Sequence, residues 1–241
     1  MRSIKSLLFL AIAYLSISLS YAQTADEIIA KHVEAIGGAD NWKKVNSIVM
    51  TGSMSMQGTE IALVRTVEHN KGYKNEISVM GMSGYQILTP TEGWNFMPFN
   101  GQTAPEAMTA DDVKEGQNDL DAQGAVVDYA SKGHSAEYLG KEEVDGTECH
   151  KIKFTYKNGK NETMFFDPAS YYLIKSIAVQ KANDQEVEIT TTFSNYEKLA
   201  EGVVFAKSMS LPLGPGVNAD FTVSKIEINK AIDAAAFKPA K

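Results

Sequence analysis

The chain has 241 residues, with 23 lysines and arginines against 30 aspartates and glutamates, a net charge of −7 and 44% hydrophobic residues. That length suits one β-rich domain, and the apolar fraction is too high for a disordered chain. The acidic balance leaves no electrostatic footprint for nucleic acid, and the single cysteine, Cys149, excludes a disulfide framework or a cysteine-rich zinc site.

Arg2 and Lys5 precede an uncharged apolar run from Leu7 to Leu19, which ends at Ser20-Tyr21-Ala22. A basic start, a short apolar core and small residues before a cut are the pattern of a cleaved secretory signal. The run is also shorter than the roughly 20 residues a membrane span needs. Cleavage is expected after Ala22, leaving residues 23–241 as a single domain and, with Arg2 and Lys5 removed, shifting the charge from −7 to −9. No cysteine follows the run, so the exported form is expected to be soluble and to carry no N-terminal lipid of its own.

Thr24-Ala25-Asp26-Glu27 reads as a capping box. Ile28, Ile29, His32, Val33 and Ile36 then recur at helical spacing until Gly37-Gly38 ends the helix. Residues 40–45 predict a further helical turn anchored by Trp42. From Ile48 the period changes to two: Met50, Met54 and Met56 alternate with polar residues, the mark of a half-buried antiparallel strand. Further strands are expected over 60–69, 73–80, 85–88 and 94–99. Residues 103–124 lack alternation, and Thr109 followed by Asp111 and Asp112 caps a helix predicted over 110–120. Seven more strands follow, over 137–144, 148–156, 162–166, 172–181, 186–196, 204–211 and 221–228. Asp145-Gly146 and Asn158-Gly159 are strong hairpin turns between some of them. Some twelve strands with two helical insertions and no interdomain linker predict one mainly β (α+β) domain with a curved or barrel-like sheet.

Chemistry-bearing patterns are sparse. His32, His69, His134 and His150 form no pair at metal-ligand spacing, and Cys149 and His150 should face opposite sides of a strand. No nucleophile elbow of the Gly-x-Ser-x-Gly type occurs. Gly81-Met82-Ser83-Gly84 lacks the lysine and helix of a phosphate loop. Asp111-Asp112 and Glu142-Glu143 are explained as a solvated helix start and a hairpin. No catalytic residue, metal or cofactor is therefore expected. Methionine is the notable residue: of ten, Met50, Met54, Met56, Met80 and Met82 fall on neighbouring strands, near Trp94, Phe96 and Phe99. Flexible, polarizable thioethers suit ordinary core filling and also a surface that adapts to variable apolar ligands. A large sheet with few helices leaves space for a cavity that could take acyl chains.

Four stretches resemble the LolA-like periplasmic lipoprotein carriers, including outer-membrane lipoprotein-sorting proteins. They are Ala35-Ile36-Gly37-Gly38 leading to Ile48-Val49-Met50-Thr51-Gly52; Tyr85 to Thr89 with Glu92 to Phe99; Phe165-Phe166-Asp167-Pro168 with Leu173-Ile174-Lys175; and Ile226 to Asn229 with Ile232-Asp233 and Phe237-Lys238-Pro239. The resemblance implies an unclosed antiparallel β-barrel of about eleven strands, with an N-terminal helix and inserted lid helices. It also implies a monomeric periplasmic carrier that exchanges lipid or lipoprotein acyl chains between membrane-bound donor and acceptor proteins. The best-studied carriers place Arg-Pro at the turn into the third strand; here that turn reads Asn70-Lys71-Gly72-Tyr73, and Arg65 lies in the preceding strand. Met50, Met54, Met56, Ile77, Trp94, Phe96, Phe154 and Phe166 are the expected ligand lining, taken from the apolar faces of successive strands. The alternatives are an exported interaction module with a fully packed core, and a hydrolase.

Overall fold

The computed structural model describes residues 24–56, 58–182, 185–214 and 217–239; the signal-like segment lies outside the described residues. Helix α1 spans Ala25–Ala35. Its capping box forms as expected: the Thr24 hydroxyl accepts from the Glu27 amide at 3.2 Å, and the Glu27 carboxylate accepts from the Thr24 amide at 3.3 Å. Ile28, Ile29 and His32 form its buried face. The short helix α2 covers Ala39–Trp42, and the Trp42 indole N–H donates to the Ile36 carbonyl at 2.9 Å.

Thirteen strands follow among the described residues, all in one sheet. They are β1 (Ser47–Met56), β2 (Thr59–Glu68), β3 (Gly72–Val79), β4 (Met82–Leu88), β5 (Gly93–Phe96), β6 (Glu106–Ala107), β7 (Ser135–Val144), β8 (Thr147–Thr155), β9 (Asn161–Phe166), β10 (Leu173–Ala182), β11 (Gln185–Lys198), β12 (Val204–Gly214) and β13 (Val217–Ile228). Their spatial order is β6-β5-β4-β3-β2-β1-β13-β12-β11-β10-β9-β8-β7, with antiparallel neighbours throughout. One meander runs outward from β1 to β6; the other begins at β7 and returns until β13 closes against β1. The two free edges, β6 and β7, are thus consecutive in the chain, and the segment joining them crosses the gap. The sheet is an unclosed barrel.

That crossing segment is the lid. Helix α3 (Ala110–Glu115) starts at Thr109, whose hydroxyl accepts from the Asp112 amide at 3.1 Å. The predicted helix over 110–120 changes to a 3-10 turn at Gly116, where the lid backbone meets the sheet. A Cβ on Gly116 would lie 2.8 Å from the Leu88 Cδ2 methyl, so a side chain there fits only if that methyl or the turn shifts. The strand not expected from the sequence is β6, two residues held to β5 by Trp94↔Ala107 and Asn95↔Glu106. The strand expected over 73–80 stops one residue early, because Met80 and Gly81 form a two-residue turn with φ of 51° and 81°.

Each face of the sheet buries two clusters. Inside, Ile48, Val67, Tyr73 and Leu88 pack with Trp42, Val45, Val113, Leu120 and Val127 from α2 and the lid. Also inside, Ile152, Phe154, Met164 and Phe166 pack against Ile28 and Ile29 of α1. Outside, the C-terminal 3-10 turn Ala234–Phe237 covers Tyr85 and Ile87, while Val144, Cys149 and Phe165 form a separate patch.

Candidate functional site

Directly opposed residues of paired strands share a face, so the register reads the inner face row by row. Starting under the lid, Ile48, Val67, Tyr73 and Leu88 form a covered apolar row. The next row is Met50↔Arg65↔Asn75↔Gln86↔Asn95↔Glu106, which is mostly polar. After it come Gly52, Leu63 and Ile77. The following row crosses seven strands as Phe193↔Met209↔Phe221↔Met54↔Ile61↔Val79↔Met82. Every member is apolar. Ile61 is buried, Met82 is 45% exposed, and the other five are half-buried. The clusters that α1 and the lid build against the inner face reach Met50 and include none of this row.

Gly52 shapes the trough. A Cβ there would lie 2.5 Å from the Phe221 ring and 2.4 Å from the Thr222 carbonyl oxygen, so the ring takes the space a side chain would fill. A β-bulge shifts the β1–β13 register between Thr51 and Gly52, and this places Phe221 opposite Met54.

The expected lining residues divide between three places. Met54, Met56 and Ile77 lie half-buried on the open inner face, and Met50 borders it, packed on the lid cluster. Phe154 and Phe166 also face inward, but both are 0% exposed beneath α1, where Phe154 meets Tyr129 and Phe166 meets His32. Trp94 and Phe96 are on the outer face, a correction to the expected common lining. The β4–β5 register opposes them to Ile87 and Tyr85, so they join the cluster seated under Phe237 while Gln86 and Leu88 point inward. Phe193, Met209 and Phe221 were not anticipated. Met209 stands in Ser208-Met209-Ser210, the same pattern as Ser53-Met54-Ser55, and that repetition was the available signal.

A cavity of about 800 Å³ lies between the lid and both wings of the sheet, lined by Gln86, Asn95, Met108, Asp112, Glu115, Asp119, Asn158, Lys160 and others. The end of α3 is tied to the β8–β9 turn, with the Asn158 amide donating to the Glu115 carbonyl at 3.2 Å and Lys160 pairing with the Glu115 carboxylate at 3.2 Å. Burial pushes the Asp119 carboxyl above its usual range, and the charges of Arg65 and Lys160 oppose that shift. Arg65 also sits over the Tyr73 ring at 5.7 Å. Burial and the adjacent Glu162 carboxylate, which accepts from the Tyr156 hydroxyl at 2.5 Å, hold that phenol well above its ordinary range.

Among the described residues no group of three or more His, Cys, Asp or Glu side chains is placed to hold a metal. Cys149 is buried on the outer face and His150 is stacked on Tyr171 at 5.9 Å on the inner side, so the pair diverges as strand alternation requires. His32 is buried and its pKa lowered to about 4, mainly by desolvation, with its Nδ1 2.8 Å from the Tyr171 carbonyl oxygen.

No protein-family model and no curated protein matches the chain. Solved structures do. A LolA superfamily protein from Nitrosomonas europaea superposes with a TM-score of 0.57 at 12% identity, covering 90% of this chain and 99% of that one. A domain described as that of an outer membrane lipoprotein-sorting protein from Vibrio parahaemolyticus gives a TM-score of 0.54 at 14% identity, over 88% and 95%. A DUF1329 family protein from Desulfovibrio piger gives 0.56 at 14% identity, over 89% and 97%. The fold is LolA-like. At these identities the LolA-like architecture is what is shared.

Proposed function

We propose that the chain is a non-enzymatic carrier, exported to the periplasm, that shields the acyl chains of a lipid or lipoprotein on the inner face of its half-barrel. The observation that carries this reading is the apolar row from Phe193 to Met82, seven side chains on seven adjacent strands with no helix of the described clusters over it. A soluble protein that leaves such a row half-open gains by covering it, and an acyl chain contributes roughly 0.8 kcal/mol for each methylene buried. Met54, Met56, Ile77 and Met50 remain the proposed lining, joined by Phe193, Met209, Phe221 and Leu63. Two of the expected residues, Phe154 and Phe166, act in this reading as the rigid floor on which α1 rests. Slow dissociation follows from the same burial, so release requires the lid to move or a receiving protein to take the cargo.

Titration with a fluorescent fatty acid tests the reading. Saturable uptake with an apolar emission shift is the expected result. A protein that binds no such probe is the packed interaction module instead.

A further inference from the structure

We propose that the cavity beneath the lid is a headgroup site, and that the preferred ligand is an amphiphile with a neutral, hydroxyl-rich headgroup. The inference rests on the carrier reading and adds the chemical class of its cargo. Asn75, Gln86 and Asn95 oppose one another on β3, β4 and β5, so three carboxamides stand in one line on the inner face. Strands are about 4.8 Å apart, which makes the line about 10 Å long. Gln86 and Asn95 line the 800 Å³ cavity directly. No hydrogen bond among the described residues engages any of these three side-chain amides, and none of them is a fully buried unsatisfied group. Gln86 and Asn95 are donors and acceptors held at the cavity wall and open to a ligand, with Asn75 next in the line.

The line is flanked by Arg65, opposite Asn75, and by Glu106, opposite Asn95, and the cavity beside it sets three carboxylates against Lys160. Glu115 pairs with Lys160 at 3.2 Å, and the Asp112 carboxylate accepts from the Thr109 hydroxyl at 2.7 Å. Asp119 lies in the field of Arg65 and Lys160. An anionic headgroup would meet three carboxylates, and an ammonium would compete for them with Lys160 and Arg65. Hydroxyls match carboxamides instead, since each both donates and accepts. Along the strands, the amide line lies two rows from Met54, so a headgroup on it leaves the attached chain running over Ile77 and Met54 into the open trough.

The test compares amphiphiles with one dodecyl-length tail: an alkyl glucoside, a monoacylglycerol, the fatty carboxylate and an alkyl trimethylammonium. Each displaces a bound fluorescent fatty acid below its micellar concentration. The hydroxylated pair is expected to displace the probe at about fivefold lower concentration than either ion, a ratio that one net hydrogen bond supplies. Displacement by the glucoside alone assigns a sugar, and by the monoacylglycerol alone a glycerol; either supports the inference. In the Gln86→Leu/Asn95→Leu variant, folded by circular dichroism, the ratio should fall below about twofold. Asn75→Leu gives a second reading of the same line. Equal displacement by all four, tighter binding of either ion, or a ratio that survives the substitutions would overturn the headgroup site and leave the carrier standing. No binding of the probe itself would remove the carrier reading and this inference together.

Discussion

Met54 sits at the middle of the apolar row, between Phe221 and Ile61, and is only half-buried. A carboxylate there stays solvated in the empty protein but would be stripped of water by an acyl chain. Met54→Glu is therefore expected to abolish fatty-acid uptake while the circular dichroism spectrum stays native; unchanged uptake would take β1 out of the lining. Phe154 has the opposite profile. It is 0% exposed under α1, so Phe154→Ala should cost about 3–5 kcal/mol in urea unfolding, and a loss below about 1 kcal/mol would show that this half of the inner face is loosely packed. His32 predicts a pH dependence. Its folded pKa of about 4 lies below the unfolded value of 6.5, so the unfolded state binds the proton first as pH falls. Stability is then unaffected by this group above pH 6.5 and declines between 6.5 and 4, by about 3 kcal/mol in all. Burial lowers His69, His134 and His150 in the same direction. Unfolding midpoints at pH 7 and 4.5 should converge in His32→Gln relative to the parent; an equal acid loss in both would assign the effect elsewhere.

At the level of elements, the lid is held by polar contacts along its length and by a close approach to the sheet. Gln123 reaches the Lys43 carbonyl at 3.2 Å, Lys43 pairs with Asp128 at 2.6 Å, and Gly116 lies against Leu88. A side chain at Gly116 must displace either the Leu88 methyl or the 3-10 turn. Gly116→Val should destabilise the protein by about 1–3 kcal/mol and speed amide exchange over 110–120, and native exchange there would mean that the lid has room to shift. The local signals for these elements were legible: Thr24 and Thr109 cap their helices, and Asp145-Gly146 turns a hairpin with φ of 48° and 82°. Local signals failed where a face depends on a distant partner. Strand β5 has four residues, too few for alternation to declare its inner side, and only its register with β4 and the seat required by Phe237 turn Trp94 and Phe96 outward. Phe193 stands alone in a run of threonines and serines, so its place in the row appears only when β12 and β13 bring Met209 and Phe221 beside it.

Across the whole molecule, the topology explains why a trough exists. Pairing β13 with β1 puts the first and last strands at the centre of the sheet, leaves the free edges at β6 and β7, and commits the chain between them to bridging the gap. That bridge and α1 cover the inner face as far as Met50; the rows from Gly52 onward extend past them. Composition alone could supply enough apolar residues for a core of this size, but not the fact that seven of them form one row outside the clusters that α1 and the lid build. Native mass spectrometry of the protein purified from its host without detergent tests that claim most directly. A chain carrying a bound lipid that organic extraction removes, and that Met54→Glu no longer retains, is the predicted result. A bare chain mass that remains bare after incubation with fatty acid and monoacylglycerol would contradict it.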